Sequence, residues 1–130
     1  EPIVEEGQAD VLIAFERLEA LRYAHFLKKD GVMIVNDLRM DPMPVSIGAA
    51  QYPENIIENL KKKHQVISLD AQALAKEIGN ARVFNTIIIG VAAKRMDFAK
   101  EDWLKVIEET VPQKTIEINT RAFEAGYALG

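Results

Sequence analysis

Side chains that carry most enzyme chemistry are scarce in this chain of 130 residues. Cysteine is absent. That removes thiolate nucleophiles, disulfides, Cys-ligated zinc and Cys-ligated iron–sulfur clusters from the chain itself. The two histidines, His25 and His64, lack the clustered spacing of a histidine metal site. His25 follows Leu21 by one helical turn and reads as a half-buried packing residue. His64 comes after Lys61–Lys63 at a helix end, where the negative end of the dipole favours a capping role. The motifs GxSxG, HExxH, GxGxxG and the P-loop do not occur. What remains are polar residues placed where apolar strands end, because open α/β sheets bind ligands or partners outside their carboxyl edge. Glu16 and Arg17 follow one such strand; Asn36, Asp37 and Arg39 follow the next. Binding competes with simpler readings: helix-dipole compensation for Glu16 and turn formation for Asn36 and Asp37. Asn85 and Asn119 can each serve a backbone turn or cap.

The elements that position these residues follow from hydrophobic periodicity. Asp10–Phe15 is a continuous apolar run, as in a strand covered on both faces. Leu18, Leu21, Ala24 and Leu27 then repeat at helical spacing, and Lys28-Lys29-Asp30-Gly31 reads as the helix stop before a second strand, Val32–Val35. Pro42 and Pro44 make the following stretch a loop, with a short extended piece over Val45–Ala49. Pro53 fits the first position of a helix carrying Ile56, Ile57 and Leu60 inward. Gln65–Leu69 is a third strand, and Asp70 caps a helix closed by Gly79. Phe84–Ala93 suits either a strand or a buried helix. Phe98–Ile107 is helical with Asp97 as its cap, and a last helix starts near Asn119.

Alternating strands and helices predict an α/β fold, three-layer α/β/α with a mostly parallel sheet, Rossmann-like, in a single domain over residues 1–130. Lys and Arg number 16 against 20 Asp and Glu, a net charge of −4. No basic run extends beyond Lys61–Lys63, so no nucleic-acid surface is expected. The apolar stretches are too short to span a bilayer and the start EPIVEEG has no basic region, so neither membrane anchor nor signal peptide is expected, and the cytoplasm is the default location.

The run ADVLIAFERLEALRYAHFLKKDGVMIVND, the later Tyr52-Pro53, EIGNARVFNTIIIGVAA and EINTRAFEAGYALG lie in order along nearly the whole chain. Together they resemble the gamma subunit or domain of 2-oxoacid:ferredoxin oxidoreductases, in particular the small subunit of the indolepyruvate branch. The resemblance implies a helix over Asn85–Ala93 and a start partway through the family's subunit. Relatives carry a strand and a Gly-Gly-Gln-Gly type loop before the ADVL strand, so this chain corresponds to the C-terminal two-thirds; at Ala99 relatives often carry a capping serine. It also implies a non-catalytic subunit with no cofactor or metal of its own. Thiamine diphosphate, magnesium and [4Fe-4S] clusters would sit in the large (alpha) partner subunit. The complex would decarboxylate an arylpyruvate oxidatively to an acyl-CoA, meeting ferredoxin and CoA. Glu16, Arg17, Asn36, Asp37, Arg39 and Asn85 are then candidates for the partner interface. Taken alone, the chain is expected to form a homo-oligomer or to shield its sheet edge with Glu1–Gly7. A different class of function, a small α/β module gripping a nucleotide or CoA-like anion at a helix N-terminus, stays open.

Overall fold

The computed structural model describes residues 4–130, in two compact units that meet in sequence between Leu69 and Asp70. The expected shielding segment Glu1–Gly7 falls partly outside the described residues. Its last residue, Gly7, donates its amide to the His25 carbonyl at 3.0 Å.

The first unit holds strands β1 (Ala9–Ala14), β2 (Leu27–Asn36) and β3 (Gln65–Leu69) with helices α1 (Arg17–Tyr23), α2 (Met43–Ser46) and α3 (Ile56–Lys61). The sheet is parallel in both pairings, in the order β1-β2-β3. Residues Gly31 to Asn36 are all buried, so β2 is covered on both faces, as its unbroken apolar run requires. One face packs Met33 and Val35 against Ala20 and Ala24 of the α1 region and Ile56 and Leu60 of α3. Burial of each such large side chain stabilises the fold by about 1.5–3 kcal/mol. The fold class is α/β with a parallel sheet, as the alternating pattern predicts.

Several boundaries differ from the sequence expectation. The first helix does not run to a Lys-Lys-Asp-Gly stop. It ends at Tyr23, a 3₁₀ turn covers Ala24–Phe26, and the chain is already in β2 at Leu27. Between the pairs Ala9–Leu27 and Val11–Val32 the register slips, β2 advancing from 27 to 32 while β1 goes from 9 to 11. Gly31 serves this bulge: a Cβ there would lie 2.9 Å from the carbonyl oxygens of both Ala9 and Asp10. Lys28 pairs with Asp10 at 3.0 Å across the two strands. With the helix shortened, Leu21 is exposed and Ala20 and Ala24 take the buried face. His25 is exposed too, its ring 4.2 Å from that of Phe26. The expected extended piece at Val45–Ala49 is instead preceded by and partly within α2, whose first turn accepts Pro44 because amides there have no helical acceptor. Pro53 precedes α3 rather than opening it; Asn55, with φ of 56°, leads into Ile56.

The second unit is helical: α4 (Ala71–Ile78), α5 (Phe84–Ala93), α6 (Lys100–Thr110) and α7 (Ile116–Leu129). Asp70 caps α4 by accepting from the Ala73 amide at 3.0 Å, and Gly79 closes it at φ of 121°. The ambiguous Phe84–Ala93 segment is the helix α5, with Ile87, Ile88, Gly90 and Val91 buried. It packs on α7 at glycines: a Cβ on Gly90 would fall on the Phe123 carbonyl, and one on Gly126 on the Ile87 carbonyl. Trp103, Leu104 and Ile107 of α6 join Ala93, Phe123 and Tyr127 in one cluster. Asp97 is not the α6 cap. Ala99 holds that position, exposed and without a side-chain bond. Nor does the last helix begin at Asn119, which lies inside α7, donating to the Thr115 carbonyl at 3.0 Å and accepting from the Thr86 hydroxyl at 2.8 Å. Among the described residues no helix is long and apolar enough to cross a membrane.

Candidate functional site

Three parallel strands end on one side of the sheet, and short bonds stitch those ends together. The Asp37 amide donates to the Leu69 carbonyl at 2.7 Å and the Arg17 amide to the Leu38 carbonyl at 3.0 Å. Asn36, fully buried, donates from Nδ2 to the Phe15 carbonyl at 3.2 Å, tying the end of β2 to that of β1. Burial of an amide side chain is tolerable only because such bonds replace water.

Glu16 is the N-cap of α1, with extended backbone, and its Oε1 accepts from the Glu19 amide at 3.0 Å. Oε2 accepts from the Met40 amide at 3.1 Å and from the Tyr52 hydroxyl in a short bond. Arg17 Nε lies 2.5 Å from Asp37 Oδ1. Arg39 pairs with Asp41 at 2.7 Å and lies over the Tyr52 ring, its Cζ 4.6 Å from the centroid. Such stacking on an aromatic face is favourable for a guanidinium.

Arg17, Asp37, Arg39 and Tyr52 line a cleft of about 860 Å³ together with residues that include Lys61 and Ser68. Burial pushes the Glu16 carboxyl up, but the bonds from Tyr52 and from the amides of Met40, Glu19 and Leu18 outweigh it and hold the group below its ordinary range. Burial, followed by the hydrogen bond to Glu16 and that residue's charge, pushes the Tyr52 phenol up to about 12. Among the described residues no three His, Cys, Asp or Glu gather in a way that could hold a metal ion. The cleft offers hydrogen-bonding groups and two guanidiniums, each paired with a carboxylate.

Of the residues singled out in the sequence, Arg17, Asp37 and Arg39 line the cleft, while Glu16 and the fully buried Asn36 lie at the same strand ends without lining it. Asn85 does not line the cleft; it is exposed on α5 of the second unit. Sequence reasoning missed Tyr52 as a site residue. The available signal was an aromatic residue alone among the polar and turn-forming residues Gln51, Pro53 and Glu54.

The family model described as pyruvate ferredoxin/flavodoxin oxidoreductase matches residues 1–129. The chain belongs to this family. Among curated proteins, it is 39% identical over 132 residues to indolepyruvate oxidoreductase subunit IorB of Thermococcus kodakarensis, a match covering 95% of this chain and 64% of that protein. The same subunit of Archaeoglobus fulgidus is 37% identical over 131 residues, covering 97% of this chain and 65% of that relative. The chain thus spans slightly less than two thirds of the length of these oxidoreductase relatives. Among solved structures, the keto/oxoacid ferredoxin oxidoreductase gamma subunit from Geobacter sulfurreducens superposes with a TM-score of 0.69 at 24% identity, over 98% of this chain and 67% of that one. That likeness is one of fold, and its α/β architecture agrees with the sheet described above.

Proposed function

We propose that this chain is a non-catalytic portion of the small subunit of a 2-oxoacid:ferredoxin oxidoreductase of the indolepyruvate branch, acting in the cytoplasm. The observation that carries the reading is the 39% identity to a named indolepyruvate oxidoreductase subunit across 95% of this chain. Its partner would be the large subunit. Thiamine diphosphate and magnesium are assigned there, and so are the [4Fe-4S] clusters, because clusters of this kind are held by cysteine thiolates and this chain has none. Ferredoxin and CoA would meet the complex rather than this chain alone. The strand-end face of the first unit, with Arg17 and Arg39, is the proposed contact with the large subunit.

The strand-end geometry gives less support to a module for a nucleotide or CoA-like anion. Such a ligand would sit at a helix N-terminus, and at α1 that position is filled by the carboxylate of Glu16. Both arginines of the cleft are already neutralised, by Asp37 and Asp41.

Substrate choice is tested by reconstituting the complex and assaying indolepyruvate, phenylpyruvate, pyruvate and 2-oxoglutarate. Preference for the aryl substrates is expected. Preference for pyruvate would overturn the branch and leave the family standing. Apart from its partner, the chain is proposed to self-associate, since β1 and β3 are the outer strands of the described sheet. Light scattering that shows a monomer at every concentration would refute this.

A further inference from the structure

Behind the cleft, one carboxylate joins segments that are far apart in sequence. Glu16 caps α1 through Oε1, which accepts from the Glu19 amide. Its Oε2 reaches Met40, near the start of the connection between β2 and α3, and Tyr52, near its end. That connection holds the four-residue helix α2, and most of its residues, including Met40, Met43 and Ile47, are exposed. A segment with so little buried surface depends on a few bonds for its position. Tyr52 supplies the buried end: the residue is 9% exposed and belongs to the cluster containing Ile56 and Leu60. Arg39 in turn lies over the Tyr52 ring.

We infer that Glu16 and Tyr52 are positioning residues that hold segment 38–55 and the Arg39 guanidinium in place, so that the cleft wall is formed before a partner arrives. The inference rests on reading the cleft as a docking face for the large subunit. Pre-forming the wall lowers the ordering cost of association. It also assigns different work to the two oxygens of Glu16, which makes them separable.

Glu16→Ser keeps a good helix cap but is too short to reach Met40 and Tyr52. Hydrogen exchange of the full chain is the readout. In E16S the Met40 amide and its neighbours in 38–55 are expected to exchange about tenfold faster, the loss of roughly one hydrogen bond to a charged group, while amides of α1 from Glu19 onward and of the β2 ladder keep wild-type rates. Tyr52→Phe removes one oxygen and leaves the ring in the core, so it tests the claim even if E16S does not fold. It is expected to speed exchange in the same segment, and the double variant to add little to E16S alone. Wild-type exchange of Met40 in E16S, or of the segment in Y52F, would overturn the inference. So would equal loss of protection in α1 from Glu19 onward. Faster exchange with no change in large-subunit affinity would leave the positioning role intact and count against the docking face instead.

Discussion

At Glu16 two opposing effects act on one carboxyl group: burial disfavours its charge, and bonds from Tyr52, Met40, Glu19 and Leu18 favour it and prevail. The folded chain therefore prefers the ionised form. Its contribution to stability is present above the ordinary carboxylate range and is lost as pH falls through the lowered value. Tyr52 behaves in the opposite sense. Because burial and then Glu16 raise its phenol from 10.0 to about 12, its contribution is present below pH 10 and lost as pH rises toward 12. A tyrosinate absorbance titration is expected to show a late step near 12 that vanishes in Tyr52→Phe, together with the loss of stability across that window. Identical alkaline stability of wild type and variant would contradict the assignment. The two partners are 36 residues apart. That separation is why the strand-end position of Glu16 was legible in the sequence and its bond to Tyr52 was not: spacing rules report neighbours along an element, not pairings made by the fold.

Helix ends give sharper tests among the elements. Ala99 stands at the α6 N-cap with φ of −64° and ψ of 145°, a backbone that suits serine, and no side chain bonds the first turn. Ala99→Ser is expected to stabilise the chain by about 1 kcal/mol, read as a Tm higher by a few degrees; an unchanged or lower Tm would contradict the cap. Gly126→Ala should do the reverse. Its methyl would fall on the Ile87 carbonyl, so α5 and α7 must separate, at a cost of about 2 kcal/mol or more in urea unfolding. Wild-type stability would show that the helices do not meet at that glycine. The elements legible in the sequence were those fixed by local rules: β3 by its apolar run, and α4 by Asp70 and Gly79. Gly31 was misread because a glycine after two lysines resembles a helix stop, whereas its role is the approach of a second strand. Asn119 resembles a cap by residue type alone; inside the helix its side chain donates to the Thr115 carbonyl instead of accepting from a first-turn amide.

For the whole molecule, what is to be tested is the proposal that the chain binds a larger subunit through the face bearing Arg17 and Arg39. Both guanidiniums pair with neighbouring carboxylates, and Arg39 also lies over the Tyr52 ring. Changing them should alter association without dismantling the core, as both are surface residues whose ion pairs contribute about 0–1 kcal/mol to folding. The direct measurement is the affinity of this chain for the large subunit of the oxidoreductase, wild type beside the Arg17→Ala, Arg39→Asp double variant, with folding checked by circular dichroism. Tight binding by the wild type and an affinity about tenfold or more weaker for the folded double variant are expected. Failure of the wild type to bind, or equal binding by the variant, would contradict the account.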